Sequence, residues 1–133
     1  MKLPHLLLCA ALGLPLPLLA ADPAACAALA GEIDTNLKEA ALARMLAATA
    51  REPEVATANR RSADTLLQIV DRNRRMLQEN GCPAYTGALD TTGYHNDALR
   101  CAYDRLKQRT DTPPCDTRNW TVKGPSETWH SFD

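Results

Sequence analysis

Thr49-Ala50-Arg51-Glu52-Pro53-Glu54-Val55-Ala56 is the stretch that decides the fold. A residue that precedes proline is pushed out of the helical region, so Glu52 cannot continue a helix that arrives from upstream. Pro53 has a fixed φ and no N–H, which suits the first turn of a new helix. One helix therefore ends by about Arg51 and a second begins at Pro53, with almost no chain between them.

Working outward, the upstream segment starts at Asp22-Pro23, an N-cap followed by proline at the first helical position. From there to about Arg51 it consists mainly of good helix formers. Cys26, Leu29, Ala30, Ile33, Leu37, Ala40 and Ala41 recur at three- and four-residue steps as one apolar stripe. Leu42, Met45 and Leu46 fall on a different side, so either the helix bends near Gly31 or Ala40 or a second partner covers that side. Downstream, the second helix runs to about Asn80, where Asn80-Gly81 followed by Pro83 is a stop signal. Its expected stripe is Val55, Ala63, Leu66, Ile69, Val70, Met76 and Leu77, with Asn59 and Asn73 on or beside it as register-setting amides. Arg60, Arg61, Arg72 and Arg75 project on the opposite side among Asp64, Asp71 and Glu79, and Asp71–Arg75 is a favourable i,i+4 pair. This is the pattern of a solvated face.

Two helices of roughly 40 Å each, folded back at Glu52-Pro53, bring Cys26 to Cys82. Four cysteines follow residue 21, namely Cys26, Cys82, Cys101 and Cys115. An even number in a small exported chain reads as two disulfides. Three connectivities exist; the hairpin favours Cys26–Cys82 with Cys101–Cys115. No C-x-x-C, haem-attachment or zinc spacing is present.

Beyond the hairpin (22–82) the composition changes to Pro, Tyr, Thr, Gly and Asp, a loop over 83–93. A third, shorter helix is expected from near Thr92 or Asn96 to near Arg109, with a return through Asp111-Thr112-Pro113-Pro114 that carries Cys115 back to Cys101. Helix and return together occupy 94–115, and 116–133 is an irregular tail with short extended stretches such as Trp120-Thr121-Val122. All six aromatic residues lie after the hairpin: Tyr85, Tyr94, Tyr103, Trp120, Trp129 and Phe132. Two roles compete for them. They cover a thin hairpin as a third layer, or Trp120, Trp129 and Phe132 form a partner-binding surface. Buried aromatic area is what so small a core lacks, which favours cover.

The chain has 133 residues with a formal net charge of −1, a balance that draws it neither to nucleic acid nor to an anionic membrane. Lys2, an apolar run from Leu6 to Leu19 broken by Gly13, Pro15 and Pro17, and then Ala20-Ala21 before Asp22 have the layout of a secretory signal peptide over 1–21. That run is too short and broken for a membrane anchor, and Leu8 before Cys9 argues against a lipid-attachment site. After cleavage behind Ala20 or Ala21 the hydrophobic content is dominated by alanine, so the core is thin and staples matter. Arginine far outnumbers lysine, which with the alanine suits a GC-rich bacterial genome and a periplasmic or secreted destination.

Catalytic patterns are missing. No G-x-S-x-G, H-E-x-x-H or glycine-rich phosphate loop occurs, His95 and His130 lie in different segments, and Glu32 and Asp34 diverge on a helix. Asn119-Trp120-Thr121 fits the glycosylation pattern but is too short to weigh. The expectation is a small exported all-α protein: a long antiparallel helical hairpin, a third shorter helix and an irregular disulfide-tied tail. It would act without cofactor or metal as a non-enzymatic interaction protein with an unknown protein partner, such as an inhibitor, immunity or accessory protein, and with no nucleic acid or stable membrane anchor. The alternative is a carrier of metal or a small molecule through His95, His130, Met45 or Met76.

Overall fold

A computed structural model describes residues 22–122. Two 27-residue helices, α1 (Pro23–Thr49) and α2 (Pro53–Glu79), form the antiparallel hairpin. A 3₁₀ turn at Thr91–Tyr94 leads into α3 (His95–Leu106), and two further 3₁₀ turns, Pro113–Cys115 and Thr117–Asn119, end the described chain. No strand occurs among the described residues. The expected leader, 1–21, lies outside them, as do His130, Trp129 and Phe132.

Local chemistry sets the boundaries. Asp22 accepts a hydrogen bond from the Ala24 amide at 3.0 Å and Pro23 opens α1. Glu52 is extended, and Pro53 opens α2. At the far end of α2 the Cys82 amide donates to Leu77 O and the Gly81 amide to Gln78 O, the two bonds of a Schellman cap. Gly81 takes the required left-handed conformation at φ +67°. The end of α3 repeats this pattern, with Arg109 donating to Asp104 O and Gln108 to Arg105 O. There the left-handed position, φ +59°, is held by Gln108 rather than glycine.

The seam of the hairpin follows a seven-residue repeat on both helices. On α1 the buried row is Cys26, Ile33, Ala40 and Ala47; on α2 it is Ala56, Ala63, Val70 and Leu77. Val55 and Met76, expected in the α2 stripe, are instead 45% and 37% exposed. They stand one residue before the buried row. A helix projected at 3.6 residues per turn drifts against a 3.5-residue seam, so an ideal wheel misplaces such neighbours. Asn73, 2% exposed on the seam, donates to Glu32 Oε2 across the hairpin at 3.0 Å. Asn59 bonds only within its own helix, to Val55 O.

α1 runs unbroken through Gly31 and Ala40. The second side of α1 is covered by α3, where Ala98, Cys101 and Ala102 are fully buried in the same cluster as Ala41 and Leu42, with Met45 and Leu46 at its edge. The arginine face of α2 is exposed as expected, but Asp71 pairs at 4.0 Å with Arg74 and forms no ion pair with Arg75. Both disulfides take the expected connectivity, Cys26–Cys82 at the open end and Cys101–Cys115 between α3 and the return. The second lies within the main hydrophobic cluster. Trp120-Thr121-Val122 is not paired as a strand; it follows the last 3₁₀ turn and packs back on α3.

Candidate functional site

Where the hairpin opens, the two helix ends and the loop after α2 leave a groove of about 780 Å³. That is within the size range of small-molecule sites. Pro23, Ala27, Ala30 and Gly31 of α1 form one wall, Leu77 and the disulfide-bonded Cys26 form the base of the hairpin side, and Pro83 to Gly87 form the other wall. The small residues arise from the alanine-rich start of α1; the second wall arises because the Schellman cap at Gly81 turns Pro83 back along the helix ends.

Asp34 is the charged group that lines this groove. The Tyr94 hydroxyl donates to its Oδ1, and Lys38 Nζ stands 2.7 Å from its Oδ2. Lys38 also lies 5.3 Å from the centre of the Tyr94 ring, within cation–π range. Burial first, then the hydrogen bond to Asp34 and its charge, push the Tyr94 phenol well above its ordinary range. Burial, followed by the charge of Asp34, raises Tyr85 as well, partly offset by Arg74 and the Ala88 amide. The Tyr85 hydroxyl is enclosed and lies against Gly87, where any side chain would collide with it.

The loop that carries Tyr85 is fastened by two arginines from the hairpin. Arg74 Nη2 donates to Leu89 O and, at 3.4 Å, to Ala88 O. Arg44 Nη1 donates to Thr91 Oγ1 at 2.6 Å. Asp90 caps the 3₁₀ turn through the Thr92 amide and hydroxyl, and these bonds hold its carboxyl below the ordinary carboxylate range. These bonds hold the loop that forms the groove wall to the hairpin.

Of the expected aromatic surface, Trp120 lies among the described residues. Trp120 is 5% exposed; its Nε1 donates to Pro114 O at 2.7 Å and its ring lies 6.3 Å from that of Tyr94. A side chain so covered cannot present its ring to a partner without leaving the core, so Trp120 serves as the covering layer. Trp129 and Phe132 lie outside the described residues. Of the residues named for the carrier alternative, Met45 packs at the edge of the core, Met76 lies on the surface of α2 and His95 begins α3, while His130 lies outside the described residues. Among the described residues no group of three or more His, Cys, Asp or Glu side chains is placed to hold a metal ion.

Sequence reasoning missed the groove because Asp34, Lys38, Tyr85 and Tyr94 are drawn from three separate segments. Two local signals pointed to it: the Asp34–Lys38 spacing of an i,i+4 ion pair, and a glycine at position 31 inside a helix otherwise rich in alanine. The chain matches no family model, no curated protein and no solved structure at a significant level, so its residues alone carry the functional reading.

Proposed function

We propose that this protein is a small non-enzymatic binding protein that works in a periplasm or in the medium, as an inhibitor, immunity or accessory protein does, and that the groove at the open end of its hairpin is the binding surface. The groove itself is the observation that carries this reading. It is large, apolar on both walls, and shaped by tethers that stabilise its form in the absence of any occupant: a disulfide, a Schellman cap and two arginine clamps. Preorganisation of this kind lowers the ordering cost of association. The two disulfides suit an oxidising compartment. No described helix is long and apolar enough to cross a membrane.

The test is binding of Nile red, an uncharged apolar dye, to the wild type and to Gly31→Leu. Gly31 lines the groove, and a Cβ there meets nothing within 4 Å, so this position has room for a side chain. The expected result is saturable binding with a blue-shifted emission that Gly31→Leu abolishes while the helical circular dichroism is kept. Absence of saturable binding, or equal binding by the variant, overturns the reading. Export is tested separately by N-terminal sequencing of the protein recovered from outside the cytoplasm, with Ala21 or Asp22 expected as the first residue.

A further inference from the structure

We infer that the groove takes an uncharged aromatic group carrying a single N–H or O–H donor, an indole-like or phenol-like ring whose donor meets the Asp34 carboxylate and whose face lies on the wall made by Ala27, Ala30 and Gly31. This rests on the reading of the groove as the binding surface.

The charge pattern selects a neutral donor. Asp34 lines the groove, and about a third of its side chain (33%) is exposed. Each oxygen already holds one donor, Tyr94 on Oδ1 and Lys38 on Oδ2. A carboxylate oxygen accepts two, so acceptor capacity remains after its charge has been balanced. A cation arriving there would face Lys38 Nζ, which stands 2.7 Å from the same carboxylate. An anion would face Asp34 itself. An N–H or O–H on an uncharged group meets neither penalty.

The wall selects a flat group. Glycine inside a helix is less favourable than alanine by about 0.5–1 kcal/mol, yet Gly31 has no positive φ and nothing within 4 Å of where its Cβ would stand. Neither backbone conformation nor internal packing therefore requires a glycine there, and its effect on the molecule is to leave space on the groove wall. With Ala27 and Ala30 beside it, the helix offers methyl groups and bare backbone, a surface that a ring face can approach more closely than a branched chain can. Leu77 and Pro83 supply apolar contact around it.

Four probes of similar size test this on the full chain by calorimetric titration: indole, neutral with one donor; naphthalene, neutral without a donor; tryptamine, a cation; and indole-3-acetate, an anion. Indole is expected to bind at least tenfold more tightly than each of the others. Gly31→Leu is expected to abolish indole binding. Asp34→Ala, checked for retained helical content, is expected to remove the preference for indole over naphthalene; should it unfold, Lys38→Met, which leaves the carboxylate unbalanced, is expected to bring tryptamine up to or beyond indole. Equal affinity for indole and naphthalene, or tighter binding of either charged probe to the wild type, overturns the inference while Nile red binding blocked by Gly31→Leu leaves the binding-surface reading intact. Loss of the Nile red result overturns that reading first.

Discussion

The two ends of the hairpin are built on opposite plans. At the turn end, Ala40, Ala43 and Ala47 face Ala56 and Ala63; all are buried, and none belongs to the continuous side-chain cluster of the core. At the open end the seam carries Ile33, Leu37, Val70 and Leu77 within that cluster, together with a cross-hairpin amide at Asn73 and the Cys26–Cys82 disulfide. The turn end is held by closeness, since small side chains let two backbones approach and Pro53 sets the reversal. The open end is held by volume and tethers, because helix ends fray unless something opposes it. The region with the larger side chains and the tethers is also the one that supports the groove.

The largest effect expected from this contrast comes from the tethers. Cys26→Ser with Cys82→Ser, which opens a loop with a sequence separation of 56 residues, should cost about 4 kcal/mol of unfolding free energy, against about 3 kcal/mol for removing Cys101–Cys115, with its separation of 14. Denaturant titration of the two double variants measures both, and the reverse order would break the comparison. Next comes a test of size. At the open end a smaller side chain is the injury: Ile33→Ala, at a fully buried site, should cost about 3 kcal/mol. At the turn end a larger one is: Ala40→Leu should cost about 2 kcal/mol through overpacking, where Ala40→Gly costs about 1 kcal/mol. Tolerance of leucine at position 40 would show that the turn end is loosely packed.

Smaller still is the seam amide, where Asn73→Ala should cost about 1.5 kcal/mol by removing a hydrogen bond to a carboxylate. Alkaline titration probes the same end. The phenols of Tyr94 and Tyr85 are raised in the folded protein, so the unfolded chain loses these protons first. The stability they contribute is complete below pH ~10 and declines as pH rises above it, by up to about 1.4 kcal/mol per pH unit for each group. Thermal unfolding between pH 9 and 11 should show that decline, and Tyr94→Phe should make it shallower. The smallest effect is a gain. Gln108→Gly, at the left-handed cap of α3, should stabilise by about 1 kcal/mol, because the glycine that Gly81 supplies at the end of α2 is missing there.

Much of the fold was legible because it is coded locally. Pro53 after Glu52, Pro23 after Asp22 and Gly81 after Asn80 each act on their own backbone, and all three boundaries fall where those residues place them. The disulfide pairing followed from two helices of equal length. The stripe of α2 was less legible: Val55 and Met76 qualify by hydrophobicity, but whether a residue beside a seam is covered depends on where the third helix lies, and α3 packs on α1. Trp120 shows the same limit. An aromatic residue in an aperiodic segment has no local signature that separates cover from display, and only the return of Cys115 to Cys101 carries it into the core.

The groove belongs wholly to this second kind. Asp34 and Lys38 are one turn apart and pair by helix geometry alone, so that much was written in the sequence, as were the helices, their reversal and the cysteines that close them. The meeting of Asp34 with Tyr94, sixty residues away, and of Gly31 with Pro83 and Tyr85 across the hollow, was decided by tertiary structure. The physical reason is one of range: proline, glycine and capping side chains act on dihedral angles within a turn of themselves, whereas a groove exists only once separate segments have been packed and its empty space is left between them.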